Sequence, residues 1–245
     1  MTTPWPPAPP VLRERLPDGI EIVRLNRPDK RNALDTATLH ELCAALTELA
    51  DDPQLRALVV STTDVTALCA GADVGEPLDR SGGVDRMAAF TELYALVERF
   101  PVVTIAVCVG NCVGAGAEIV AGCDLRVGGD NLKLAWAGAR LGVPVGPARL
   151  SQLIGASRAK DLVFTGRVIG LDEAERIGLV HRGAPATEAE QVAVDLAGVV
   201  AAQSADGVRV LKQMFRTLDA TEQRVAYEND RLLDFQRHGT GLPTG

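Results

Sequence analysis

Residues 101–124, PVVTIAVCVGNCVGAGAEIVAGCD, contain the residue types and spacing that point most clearly to chemistry. An apolar run is followed by Gly114-Ala115-Gly116, and a helical pattern with one carboxylate, Glu118, begins there. Free N–H groups at a helix N-terminus can hold an anion or a developing oxyanion. Ala115 and Glu118 share a helix face with a rise of roughly 4.5 Å, and helical side chains lean toward the N-terminus. The pattern therefore indicates a site that polarises a carbonyl and carries its own acid or base.

A phosphate-binding loop of a dinucleotide-dependent dehydrogenase is an alternative function for these glycines. Gly110, Gly114 and Gly116 are spaced GxxxGxG and not GxGxxG, and they follow about a hundred residues of other sequence, so the pattern disfavours this alternative. A serine or cysteine hydrolase has less support, because none of the three histidines lies near a plausible nucleophile. The five cysteines form no paired CxxC motif, which predicts buried, reduced thiols and no metal site.

The composition is that of an ordinary globular protein. The 245 residues are 47% hydrophobic and 23% charged, with a formal net charge of −7. This charge argues against a nucleic-acid or anionic-membrane partner, and no apolar run approaches the roughly 20 residues that span a bilayer. Residues 1–10, rich in proline, are predicted to form an extended leader and not a signal peptide. We expect a cytoplasmic protein with one large core.

The elements that must position the site alternate between strands and helices. Two strands followed by a helix, used twice, favour a repeating right-handed superhelix over a simple Rossmann sheet. The strands are predicted at 11–25 (two, around a Pro-Asp-Gly turn), 57–61, 102–109, 125–127, 133–135 and 178–180. The helices are predicted at 35–50 (capped by Asp35), 87–100, 116–121, 148–154, 157–165, 171–177, 188–203 and, as one long amphipathic helix, 207–233.

Four separated motifs together resemble one protein family. LNRP at 25–28 with RNAL at 31–34, ALCAGADV at 67–74, the glycine segment at 109–124 and EA…GLV at 173–180 occur in the order and spacing of the crotonase (enoyl-CoA hydratase/isomerase) superfamily. The resemblance covers nearly the whole chain. It implies an α/β fold, a crotonase-like ββα superhelix over residues 11–187, and a C-terminal helical trimerisation region over residues 188–245.

The resemblance also implies a ligand and a site. The ligand is an acyl-CoA thioester, with coenzyme A as part of the substrate and no separate cofactor, and the assembly is a homotrimer or hexamer. The thioester oxyanion is held by two backbone N–H groups, which by motif position belong to Ala70 and Ala115, while Glu118 matches a catalytic glutamate. Further substrate-binding residues implied by the motifs are Lys30 and Arg31 (for the CoA phosphates), Gly71, Asp73 and Gly114.

One departure from the family pattern bears on the reaction. The second glutamate of the hydratases falls in a PExxLG-like segment, and alignment on Gly142 puts Gly138 at its position. Hydration requires one group to activate water and another to transfer a proton to or from the α-carbon. A double-bond shift needs one base that takes and returns a proton. Isomerase-like chemistry is therefore favoured over hydration. The alternative is a non-catalytic acyl-CoA-binding or partner protein that keeps the fold.

Two residues near Gly138 are further candidates. Ala135-Trp136 resembles the Ala-Trp of the aromatic-acyl dehalogenase branch, but the nucleophilic aspartate of that branch would fall near Pro144, which disfavours dehalogenation. Trp136 could line an acyl pocket or pack in the core. Arg140 could hold a carboxylate on the acyl group or be a surface charge. The chain also lacks the family's EG…AF…KR tail, which leaves the pocket more open or closed by another subunit.

Overall fold

The computed structural model describes residues 8–244. Its strands form two sheets in which most neighbouring strands are parallel. The strands are β1 (Val11–Arg15), β2 (Ile20–Leu25), β3 (Ala57–Thr62), β4 (Val103–Cys108), β5 (Asn111–Val113), β6 (Leu125–Gly129), β7 (Lys133–Ala135) and β8 (Arg182–Ala184). The larger sheet has the order β1-β2-β3-β4-β6-β8, in which β1 and β2 are antiparallel and every later pair is parallel. β5 and β7 pair in parallel in a small second sheet.

Helices connect these strands and cover the larger sheet. They are α1 (Thr36–Ala50), α2 (Arg80–Arg99), α3 (Ala115–Gly122), α4 (Pro147–Ile154), α5 (Ala156–Thr165), α6 (Leu171–Arg176), α7 (Ala189–Ala201), α8 (Ala205–Leu218) and α9 (Thr221–His238). One core contains α1, α2 and α3, while α7 packs on the opposite face of β3, β4 and β6. The sheet is therefore apolar on both faces, as expected for buried parallel strands.

The second sheet explains how the two glycine segments come together. An isolated parallel bridge joins Cys69 to Cys112, and Cys112 in turn pairs with Leu134 of β7. Each turn of the chain thus gives one strand to the larger sheet and one short extended segment to the smaller one before the next helix. This is the predicted two-strands-then-helix repeat, and it stacks residues 69–72 beside residues 111–115.

Side-chain caps set the starts of two predicted helices. The Asp35 side chain accepts a hydrogen bond from the Thr38 N–H at 2.8 Å and caps α1. α2 begins seven residues earlier than predicted, because the Asp79 side chain accepts from the Gly82 N–H at 2.7 Å and caps a polar first turn. All five cysteines are buried and free, as predicted.

Two predicted elements are wrong. Residues 178–180 form no strand, because the N–H groups of Leu179 and Val180 both donate to the Ala174 carbonyl and close the end of α6. The paired strand follows as β8, beside β6. The long helix predicted over 207–233 is instead α8 and α9, with Ala220 between them in the left-handed region (φ 49°). This turn lets α9 fold back against α2.

Most of the predicted leader lies outside the described residues, since residues 1–7 are not among them. At its end, the carbonyls of Pro9 and Pro10 accept hydrogen bonds from Asn26, at 2.9 and 2.8 Å. Between residues 8 and 244, no helix is both long enough and apolar enough to cross a membrane.

Candidate active site

The two glycine segments approach each other more closely than side chains would permit. The Cys69 N–H donates to the Asn111 carbonyl at 3.1 Å, and the Val113 N–H donates back to the Cys69 carbonyl at 3.0 Å. A Cβ at Gly116 would lie 2.1 Å from the Cys69 oxygen, and Gly71 has a φ of 111°. Glycine at these two positions is therefore required by the approach of the loop to α3.

The first N–H donor of the site is that of Ala115. Ala115 is the first residue of α3, and its N–H finds no acceptor among residues 8–244. This is the expected state of a first-turn N–H group. Because Gly114 has a φ of 55°, the chain turns sharply just before the helix, and Ala115 lies against a cavity.

The prediction that Ala70 supplies the second donor is wrong. Its N–H donates to the Arg31 carbonyl at 3.0 Å and is not available to a ligand. The N–H of Ala72 is available in its place. The Leu34 N–H donates to the Gly71 carbonyl, and the Leu34 carbonyl accepts from the Asp73 N–H. Successive N–H groups of an extended segment point in opposite directions, so the Ala72 N–H points away from Leu34. It has no acceptor within the described part of the chain.

An apolar cavity of about 240 Å³ lies beside these N–H groups. Its walls come from both glycine segments, from α2, from residues 137–145, from α9 and from the C-terminal residues. Leu242 closes one side of the cavity. Its N–H donates to Oε1 of Gln236, and the carbonyl of the next residue, Pro243, accepts a hydrogen bond from Arg86. The lining residues are Ala70, Gly71, Ala72, Val74, Met87, Phe90, Tyr94, Val113, Gly114, Ala115, Ala137, Gly138, Leu141, Val143, Val145, Leu232 and Leu242.

Glu118 lies one turn after Ala115 on α3 and is 1% exposed. Its Oε2 accepts a hydrogen bond from Nη1 of Arg149 at 3.0 Å, and its Oε1 has no hydrogen-bond partner within residues 8–244. Gly146 lies beside that oxygen: a Cβ there would be 3.5 Å from Oε1 and only 2.8 Å from Cδ1 of Trp136, so the site has no room for a side chain at this position. Glu118 does not itself line the cavity, but Val145, next to Gly146, does. One oxygen of the carboxylate is held and the other is free.

The surroundings of Glu118 favour its protonated form. Burial raises the pKa of Glu118 to about 8, and the negative charge of Glu228 adds to this effect, while Arg149 opposes it. Arg149 also lies 2.7 Å from Glu228 and 3.2 Å from Glu98, and its guanidinium stacks on the Tyr94 ring at 4.9 Å. A carboxyl with a raised pKa and one free oxygen is suited to proton transfer.

No second carboxylate stands where the hydratase pattern would require one. Gly138 lines the cavity, and a Cβ there would lie 2.8 Å from the Val143 carbonyl oxygen and 2.9 Å from Cγ1 of Val145. Glycine at this position is thus matched to the path of residues 143–145. A glutamate would fit only if that segment moved.

The other predicted ligand residues are distributed around the cavity and beyond it. Gly71 and Gly114 line the cavity, while Asp73 is ion-paired with Arg27 at 3.1 Å. Trp136 is buried in the core and does not line it, and Arg140 is on the surface with Nη2 on the Gly166 carbonyl at 2.8 Å. The exposed pair at the turn before α1 is Lys30 and Arg31. Ligand contact by these residues stays a prediction.

Sequence reasoning missed Arg149 and Glu228, although a signal was present. Arg149 occupies the buried face of α4 together with Leu150 and Ile154. Glu228 occupies the buried face of α9 in the same way. A charged residue at a core position of an amphipathic helix points to a buried ion pair or a functional site. Within the described ranges, no cluster of His, Cys, Asp or Glu could hold a metal ion.

Comparison with known proteins gives a consistent family. The family model described as Enoyl-CoA hydratase/isomerase matches residues 15–239. The chain is 34% identical over 197 residues to the "Probable enoyl-CoA hydratase echA8" of Mycobacterium bovis, which covers 79% of this chain and 76% of that protein. It is 30% identical over 199 residues to the "Short-chain-enoyl-CoA hydratase" of Clostridium acetobutylicum, with the same coverage of 79% and 76%.

A solved structure agrees in fold. The crystal structure of an enoyl-CoA hydratase from Bacillus anthracis superposes with a TM-score of 0.80 at 26% identity and covers 91% of each chain. The predicted α/β crotonase fold with a helical C-terminal region is therefore confirmed. The match of the family model over most of the chain, the two relatives and this superposition agree with one another. The chain belongs to the enoyl-CoA hydratase/isomerase family, within the crotonase superfamily, and is an enzyme of that family.

Proposed function

We propose that this enzyme binds an acyl-CoA thioester and shifts the double bond of a 3-enoyl group to the 2-position, with coenzyme A as part of the substrate. The observation that carries this proposal is Glu118, a buried carboxylate behind the cavity wall with one free oxygen, together with Gly138 in place of a second acid at the cavity. The two relatives above are named as a probable enoyl-CoA hydratase and a short-chain-enoyl-CoA hydratase. A site with one carboxylate is better suited to the double-bond shift, which one base can complete.

The chemistry follows from the two free N–H groups. The thioester carbonyl accepts hydrogen bonds from Ala115 and Ala72, which stabilise the enolate oxygen. Ionised Glu118 takes a proton from C2, the C2–H electrons form the C2=C3 bond, and the C3=C4 electrons take the same proton back at C4. Neither water nor a redox partner is consumed. Lys30 and Arg31 are proposed to hold the CoA phosphates, since their exposed turn is bonded to the glycine loop through the Arg31 carbonyl.

Access to Glu118 depends on residues 143–145. Val143 and Val145 line the cavity, Gly146 lies beside Oε1, and the carboxylate is buried behind them. Gly142 and Gly146 bracket this segment with φ values of 70° and 112°. We infer that the segment shifts when the acyl group enters, because the glycines at both ends can absorb the change in dihedral angles.

Incubation with a panel of thioesters tests the reaction. We expect 3-enoyl-CoA to be converted to 2-enoyl-CoA at a higher kcat/KM than that for conversion of 2-enoyl-CoA to the 3-hydroxyacyl product, with mass spectrometry and chromatography to separate the isomers. Faster hydration would overturn the assignment. Calorimetric binding of the thioesters without turnover across enoyl-, malonyl- and aryl-CoA substrates would favour the non-catalytic alternative.

The pH dependence gives a separate prediction. The base must be ionised in the free enzyme, and the ionised fraction of Glu118 rises with pH through its pKa of about 8. We therefore expect kcat/KM for the double-bond shift to fall about tenfold for each pH unit below that value. A hydratase that used Glu118 as a proton donor would lose activity in the opposite direction, above the pKa. Substrate binding measured across the same range controls for effects on the ligand.

The α8 helix supports a proposal for assembly. Five large apolar residues on this helix are more than half exposed: Val210, Leu211, Met214, Phe215 and Leu218. Lys212, in contrast, is buried and donates to the Val102 carbonyl and to Asp124, which fixes α8 on the core. We propose that a second copy of the chain covers this fixed apolar face, within the homotrimer or hexamer expected from the family resemblance.

A further inference from the structure

Arg149, which the proposed reaction does not use directly, is at the centre of a buried charge cluster that includes Glu118. Its guanidinium is 1% exposed, and carboxylates from three helices surround it. Glu98 comes from α2, Glu118 from α3 and Glu228 from α9, at 3.2, 3.0 and 2.7 Å. Glu118 and Glu228 are buried and Glu98 is partly exposed. Such a cluster is costly to form, since each buried charge loses its hydration.

The geometry divides the cluster into two roles. Glu118 and Glu228 both accept a hydrogen bond from the same Nη1 atom of Arg149. The other oxygen of Glu228 accepts from the Ala148 N–H at 2.8 Å, so both oxygens of Glu228 are occupied. Glu228 therefore has no free oxygen for proton transfer, and it does not take the place of the second hydratase glutamate that is missing at Gly138. From α9, it fixes both Arg149 and the first turn of α4.

We propose that Arg149, held in place by Glu228, is a positioning residue that binds Oε2 of Glu118 and directs the free Oε1 to the reacting carbons. The inference rests on the proposed function, because it assigns the proton transfer to Glu118. The cation also supplies the opposite charge that allows a buried carboxylate to ionise. In this way α9, which belongs to the C-terminal region, controls the base on α3 through a single side chain.

The charged and titratable groups that face Glu118 come from every helix packed around it. Arg149 favours the ionised form of Glu118, and Glu228 and Glu98 oppose it. The buried Tyr94 hydroxyl belongs to the same cluster, and burial raises its pKa well above the usual value. The two substitutions R149M and E228Q therefore remove charges of opposite sign from the same carboxylate, with the rest of the cluster unchanged.

The proposal is tested by measuring the pH at which Glu118 titrates in the full-length variants. We expect R149M to move the acidic limb of kcat/KM to higher pH, by roughly 1–3 units, because an opposite charge is lost. We expect E228Q to move the limb to lower pH, because a like charge is lost. Arg149→Lys, which keeps the cation, should restore most of the shift seen with R149M. If Arg149 had a purely structural role, the substitutions would lower thermal stability and leave the acidic limb of kcat/KM in every variant at the pH of the wild type.

Infrared difference spectroscopy gives the same titration without turnover. The protonated carboxyl band that disappears in E118Q belongs to Glu118, and its loss with rising pH can be followed in each variant. E222Q is the matched control: Glu222 is on the same helix as Glu228 but is exposed and paired with Arg216, so its titration should coincide with that of the wild type. If R149M does not fold, the near-isosteric E228Q decides.

The outcomes separate the two proposals. If no thioester is turned over by the wild type, the proposed function fails, and the infrared titration still reports on Arg149 and Glu228. If the wild type is active and the titrations of R149M and E228Q both coincide with the wild type, or move in the same direction, the positioning role of Arg149 is overturned. Opposite shifts with rescue by Arg149→Lys support it.

Discussion

Replacing Glu118 with glutamine is expected to lower kcat for the double-bond shift by about 10²–10⁴-fold, the usual contribution of a general acid or base. The amide keeps the shape of the carboxylate, and its oxygen can still accept the hydrogen bond from Arg149, but it cannot take a proton from C2. The dissociation constant for the acyl-CoA should change little, because Glu118 lies behind the cavity wall. Single-turnover kinetics and calorimetry measure the two quantities.

The same variant has an effect on stability that serves as its internal control. The pKa of Glu118 is raised in the folded state from its ordinary value of 4.5 to about 8, so the stability that the protonated carboxyl provides is lost as pH rises from 4.5 through 8. E118Q cannot ionise and should gain melting temperature relative to the wild type between pH 5 and pH 9. Unchanged turnover in a variant with this stability signature would exclude Glu118 as the base.

Local signals in the sequence were sufficient to predict the elements around the site. The apolar run at 102–109 is a buried strand at nearly the predicted bounds, and the glycines that follow it do mark the turn into α3. Asp35 caps its helix, because an N-cap interaction is formed within four residues of the chain. Strand bounds and helix caps that depend on neighbouring residues can therefore be predicted from the sequence.

Features that depend on contacts between residues distant in sequence could not be predicted. Motif position assigned the second N–H donor to Ala70, but the direction of that N–H depends on Arg31 and Leu34, which lie some forty residues earlier. The break at Ala220 lacks the glycine or proline that usually signals one. The sequence also left open whether burial or the helix N-terminus dominates the pKa of Glu118. Burial dominates and raises the pKa, because elements distant in sequence enclose the carboxyl, and the charges of Glu228 and Glu98 add to the effect.

Substituting proline for Ala115 is expected to lower kcat by about 10²–10³-fold, the effect of losing one oxyanion donor. Proline is tolerated at the first position of a helix because its missing N–H has no partner inside the helix. This chain already uses proline in that way, since Pro147 begins α4. The substitution therefore removes the proposed hydrogen bond to the thioester oxygen while α3 keeps its own hydrogen bonds.

Two variants make the result specific to the N–H group. Ala115→Gly keeps the N–H and should keep most of kcat, at a small cost in helix stability. Ala156→Pro repeats the substitution at the start of α5, where an exposed alanine also follows a glycine with positive φ, and it should leave kcat unchanged. A folded A115P enzyme with the kcat of the wild type would show that the Ala115 N–H does not hold the oxyanion. The loss of kcat in A115P, with both controls active, would instead tie the glycine turn to the chemistry, because the three variants differ in whether this one N–H is present at the cavity.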